Sequence, residues 1–233
     1  PNLSLREANA GLTLGPLNLD AQYQSRLEAP GTGTLSWRQA EAGLFGGRVW
    51  LEPGTLTLGK GRQTLAVRFE GLELASLLAA YPTEGLSGAG TLEGQLPVRL
   101  GAKGLTIREG KVFARAPGGQ LQFRSTGLRD YGAANPALQL VVQALDDFQF
   151  DQLDSDLSYD EDGKLQLALH LSGRNPAIEE GRLINFNINL EENLPALLTS
   201  LQLSERVSDT IRERVRERVE GKSSKPGKKK ARD

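Results

Sequence analysis

The sequence predicts a mainly β fold, laid out as one antiparallel meander, on three observations. Apolar residues recur two apart in many short runs, as at Leu65, Val67 and Phe69 or Leu165, Leu167, Leu169 and Leu171, which is the period of a strand with one apolar face. Glycine is abundant, with 27 residues in 233, and it falls between those runs, where turns belong. The runs follow one another too closely for parallel crossovers, which need a dozen or more residues, so neighbouring strands are expected to be antiparallel.

In residues 1–70 the pairs Leu12 and Leu14, Leu17 and Leu19, Val49 and Leu51, and Leu56 and Leu58 mark short strands before Leu65–Phe69. Turns are expected at Gly15-Pro16, Pro30-Gly31, Gly46-Gly47, Pro53-Gly54 and Gly59-Lys60-Gly61. Residues 73–81, ELASLLAAY, read as a short helix that Pro82 ends. Strands resume around Leu92, Leu96–Leu100, Leu105–Ile107, Val112 and Leu121–Phe123, with glycines 94, 101, 104, 110, 118 and 119 supplying turns or bulges. Residues 136–145 fit either period. Leu138, Val141, Val142 and Leu145 suit a helix after Asn135-Pro136, the favoured reading, whereas Leu138, Leu140 and Val142 suit a strand.

The plainest hairpin joins Phe148–Tyr159 to Leu165–Leu171 through Asp160-Glu161-Asp162-Gly163. A last strand places Ile184, Phe186, Ile188 and Leu190 on one face and Asn185, Asn187 and Asn189 on the other. The period then changes to helical over residues 194–203, with Pro195 in the first turn and Leu194, Leu197, Leu198 and Leu201 forming a stripe. Ser204 can cap a final helix over 204–220, whose stripe is Val207, Ile211, Val215 and Val219. These two C-terminal helices are candidates for a partner surface or an end cap. Residues 221–233, GKSSKPGKKKARD, read as a basic disordered tail. Residues 1–203 thus form the β domain.

Net charge is −1, yet residues 205–233 carry 11 basic and 6 acidic side chains, a local +5 that leaves −6 for the rest. The absence of cysteine removes disulfides and thiolate metal sites and fits either cytoplasm or periplasm. No apolar run approaches the roughly 20 residues of a membrane-spanning helix. A start at Pro1 and the absence of methionine suggest a segment of a longer protein.

No catalytic constellation emerges. His170 is the single histidine and points away from the leucines of its own strand, which favours a surface residue over a ligand or base. The acidic run 146–162 does not meet the EF-hand pattern, because a register starting at Ser158 ends on Leu169 where glutamate belongs. Glu191 and Glu192 face apart on a strand, or favour the dipole at a helix start. Arginines 212, 214, 216 and 218 alternate with glutamates and lack stacking aromatics, so nucleic acid is not expected as a partner. No cofactor or metal is implied, and the expectation is a protein without enzymatic activity. What remains is a long strip of apolar strand faces. Either it is an exposed binding surface or it is buried in a closed sandwich, serving as a scaffold or adaptor.

Ala144-Leu145, Phe148, Phe150, Leu153, Tyr159-Asp160, Gly163, Gly173-Arg174-Asn175-Pro176 and NFNINLEENLPALLTSLQLS, with GLSGAGTLEGQLPVRL and GKVFARAPGGQLQF before them, resemble the C-terminal domain of YdbH-type proteins. These belong with the AsmA-like, bridge-like lipid transfer proteins. The resemblance implies a long curved β-sheet forming an open apolar groove that shields phospholipid acyl chains in the periplasm, between inner and outer membranes. It also implies an inner-membrane anchor upstream and a small outer-membrane lipoprotein of the YnbE type that adds a strand. Groove candidates on this basis are Leu165, Leu167, Leu169, Leu171, Ile184, Phe186, Ile188 and Leu190.

Overall fold

The computed structural model describes residues 2–5, 8–9, 13–26, 28–127, 130 and 136–193. In chain order the strands are β1 (Asn2–Leu5), β2 (Ala8–Asn9), β3 (Thr13–Leu14), β4 (Leu17–Arg26), β5 (Ala29–Leu44), β6 (Gly47–Leu51), β7 (Gly54–Thr57) and β8 (Gln63–Glu73). Helix α1 (Leu74–Ala80) follows, then β9 (Leu86–Gly101), β10 (Gly104–Phe123), helix α2 (Pro136–Leu145), β11 (Phe148–Tyr159), β12 (Lys164–Arg174) and β13 (Ile184–Asn193). One open antiparallel sheet takes them in the order β1, β4, β5, β6, β8, β9, β10, β11, β12, β13, with β7 beside β5, while β2 and β3 pair separately. Spatial order is therefore nearly sequence order, as the close spacing of the runs requires. No second large sheet stacks on this one among the described residues.

Helices α1 and α2 fall where their periodicity places them. Tyr81-Pro82 stops α1. The last turn of α2 is closed by the buried Asn175, whose amide donates to the carbonyls of Gln143 at 2.9 Å and Ala144 at 3.4 Å, while its own Oδ1 accepts from Ala177 N at 2.9 Å. Those are carbonyls that a helix end leaves without intrahelical partners. The expected turn at 160–163 is closed by Asp160, whose Oδ1 accepts from the backbone N–H of Asp162 at 3.0 Å and Lys164 at 2.9 Å.

Two expectations need correction. Pro30-Gly31 is not a turn but lies inside the 16-residue strand β5. Proline is tolerated there because it sits next to the register shift between Gln24 and Arg26 on β4, where the ladder is already interrupted. The five short runs between 92 and 123 are two long strands, β9 and β10. Gly110, Gly118 and Gly119 do fall at their register shifts, and Gly101 and Gly104 flank their turn. Gly94 pairs with Val112 in a continuous stretch of the β9–β10 ladder, and on its other side its partner Phe69 adjoins the register shift between Phe69 and Leu72 on β8.

The registers separate two faces. Leu17, Ala42, Val49, Phe69, Gly94, Val112, Ser155 and Leu169 are successive partners in one row from β4 to β12. One residue over, Asn18, Glu41, Trp50, Arg68, Gln95, Lys111, Asp156 and Ala168 form the row on the opposite face. That second face is tied by cross-strand ion pairs, among them Arg48 with Glu70 at 2.7 Å and Lys111 with Asp156, and the Arg48 guanidinium lies 4.8 Å from the Trp50 ring centroid.

The apolar face has unlike ends. At the end where β8 leads through α1 to β9, it is filled by a cluster of Phe69, Leu72, Leu74, Leu92, Phe148, Phe150, Leu153 and Leu171. Glycines make room for it. A Cβ on Gly94 would meet the Phe69 ring at 2.5 Å, and one on Gly119 would meet the Phe150 ring at 2.6 Å. Gly88 accommodates Leu74 and Leu78 of α1 in the same way. At the other end lie the turns between β4 and β5, β7 and β8, β9 and β10, and β11 and β12. There the apolar face stays open, with Leu58 40 % and Leu105 39 % exposed.

Candidate functional site: the apolar face at its C-terminal edge

The sequence-predicted residues come together on β12 and β13. His170 Nδ1 lies 2.7 Å from Asn187 Oδ1, and Gln166 Nε2 donates to Glu191 Oε2 at 3.4 Å. Both pairs fit one antiparallel register, in which Leu171, Leu169 and Leu167 are across from Phe186, Ile188 and Leu190. On the other side Leu171 faces Leu153, Leu169 faces Ser155, Leu167 faces Leu157 and Leu165 faces Tyr159 on β11. His170 and the asparagine row occupy the polar face and are exposed.

Along this strip the buried residue lies at the closed end and the exposed one towards the open end. Leu171 is only 3 % exposed and belongs to the filled cluster, against which Leu169, Ile184, Phe186 and Ile188 also pack. Phe186 meets Phe148 edge-on, with ring centroids 5.0 Å apart and planes at 68°. Leu165 and Leu167 are half-buried, and Leu190 is 48 % exposed. The eight candidates therefore divide into five that support the closed end and three that line the open one. Leu194, Leu197, Leu198, Leu201, Val207, Ile211 and Val215 lie outside the described residues. The sequence reading missed the wall of rings formed by Phe69, Phe148 and Phe150. Its signal was glycine on the neighbouring strands, at Gly94 and Gly119, where an apolar partner would complete the pattern.

Glu191 and Glu192 do not start a helix, because β13 continues through Asn193. Instead Glu191 accepts from Lys164 Nζ at 2.7 Å and ties β13 to β12. That hydrogen bond, helped by the one from Gln166, holds the Glu191 carboxyl below the usual carboxylate range, against a smaller opposing effect of desolvation. A depressed carboxylate contributes stability above its unfolded value, near pH 4.3, that is lost as pH falls through the folded value. Carbon-detected NMR titration of the Glu191 carboxyl is expected to give a higher midpoint in Lys164→Ala than in the unaltered chain. Unchanged titration in Lys164→Ala would remove the tie.

No curated protein and no solved structure matches the chain. A family model does, over residues 1–216: YdbH-like, described as intermembrane phospholipid transport protein YdbH. The match includes every described strand, so the open sheet and its apolar face are the family's own domain. The chain belongs to the YdbH-like family, whose function is intermembrane phospholipid transport.

Proposed function

We propose that the open part of the apolar face shields phospholipid acyl chains on their way between the inner and outer membranes of a Gram-negative bacterium, with no reaction catalysed. The observation that carries this reading is the row across β4 to β12, apolar apart from Gly94 and the buried Ser155, extended onto β13 by Ile188, on a face left uncovered towards Leu58, Leu105 and Leu190. Each methylene removed from water on such a face contributes about 0.8 kcal/mol, so an acyl chain gains by lying along it. The polar face, laced with ion pairs, stays in periplasmic water.

An open sheet has edges. Among the described residues β13 pairs on one side only, with β12. Its other side presents backbone groups that a strand from a small outer-membrane lipoprotein of the YnbE type satisfies by augmentation. The β1 edge then faces the upstream chain, which leads to an inner-membrane anchor.

Photo-crosslinking residues placed at Leu167 and Leu190, with Ala168 and Asn189 as controls on the polar face, test the lipid reading in cells. Lipid adducts are expected at Leu167 and Leu190 and not at the controls. Equal capture on both faces would remove the reading.

A further inference from the structure

The open end of the sheet is split by charge. The tips from β7 to β10 carry Lys60, Arg62, Arg99, Lys103 and Arg108, whereas the β11 to β12 turn and the end of β13 carry Asp160, Glu161, Asp162, Glu191 and Glu192. Within the basic half, Arg62, Arg99 and Arg108 line one small pocket together with Thr106, Leu100 and Glu161. Its volume is about 60 Å³, which suits a compact anion. Arg62 stands directly before β8, Arg99 is on β9 and Arg108 on β10. Arg99 sits in the row Thr64, Arg99, Thr106, with Arg62 two residues before Thr64 and Arg108 two after Thr106, so they cross the sheet on a diagonal.

None of the three makes an ion pair with a described residue, and the one carboxylate in the pocket, Glu161, is already engaged by Lys103 at 3.3 Å. The pocket therefore holds several uncompensated donors in the fork geometry that matches phosphate oxygens. It also touches the apolar face. Leu100 lines it, and beside Leu100 the partners Gly101 and Gly104 leave the rim without side chains. That gap is a notch between the apolar face on one side and the arginines on the other.

We propose that Arg62, Arg99 and Arg108 hold the phosphodiester of a phospholipid whose acyl chains lie on the apolar face, the headgroup bending through the notch at Gly101 and Gly104. This rests on the apolar face carrying acyl chains. The acidic tips of β11 to β13 repel the same phosphate and confine it to the β8 to β10 side.

The test titrates the full chain with three probes, dihexanoylphosphatidylglycerol, dihexanoylglycerol and glycerol phosphate, following the arginine Nε–H signals by NMR. The phospholipid is expected to bind about tenfold more tightly than dihexanoylglycerol, the worth of one charge-assisted hydrogen bond. In R99Q/R108Q that preference is expected to vanish while dihexanoylglycerol still binds with its original affinity. A preference that survives in the variant overturns the headgroup site and leaves the apolar face standing. Glycerol phosphate binding as tightly as the phospholipid, at the same arginines, makes this a free-phosphate site and also overturns the proposal. If neither acylated probe binds, the reading of the apolar face falls and this one falls with it.

Discussion

Phe148→Ala is expected to cost about 3–5 kcal/mol of stability. The ring is fully buried, and it joins β11 to β13 through its edge-on contact with Phe186. Truncation leaves a cavity within the cluster to which Phe150, Leu153 and Leu171 also belong, and the aromatic contact, worth roughly 0.5–1.5 kcal/mol, goes as well. Two probes separate near from far effects. Amide hydrogen exchange over β11 to β13 is expected to accelerate strongly, whereas the fluorescence of Trp37 and Trp50, on β5 and β6, is expected to report a smaller change in denaturant unfolding. A loss under about 1 kcal/mol, the range of an ordinary substitution, would show that the closed end is not tightly packed.

Gly94→Val is expected to cost about 3 kcal/mol. A Cβ there would stand 2.2 Å from the carbonyl oxygen of Lys111 and 2.5 Å from the Phe69 ring. Real side chains do not approach so closely, so β9 and β10 must separate or the ring must leave. Because the nearer atom is backbone, trimming Phe69 to Leu relieves only part of the loss, which a double-mutant cycle measures. Gly61→Ala is the control, since nothing lies within 4 Å of its added Cβ, and its effect is expected to stay within about 0.5 kcal/mol. Equal melting temperatures for the two variants would show that Gly94 is not the bed of the Phe69 ring.

The sequence was most legible where one period ran uninterrupted. The alternating leucines of β12, the Asp160 turn, helix α1 and the strand from Ile184 all appear where local pattern puts them, because the apolar face and the turn chemistry agree there, whereas residues 136–145, which fit either period, form the helix that was the favoured reading. The long strands were not legible as such. Gly94 looks like punctuation, yet it is empty because an aromatic ring from a strand about 25 residues away fills its place, a long-range fact that no local window carries.

The candidate site was half legible for the same reason. Alternation assigns Leu171 and Leu190 to one face equally, but Leu171 lies against the Phe148 cluster and Leu190 lies beyond it, so exposure differs more than tenfold on identical local pattern. Arg62, Arg99 and Arg108 gave no signal at all. Nothing in three separated sequence positions shows that hairpin registers bring them round one pocket.

The near-sequential order of strands has a consequence for how the domain is made and how it fails. Each strand finds its partner in the segment synthesised just before it, so the sheet can zip from one end with only short loops to close. A growing edge is always present and always replaceable by the next strand, which makes length a free variable, as in stacked repeat proteins. Damage propagates only through nearest neighbours. A lesion at β11 should fray the sheet locally and leave the β4 to β6 ladder folded, still able to hold its place in a longer ribbon.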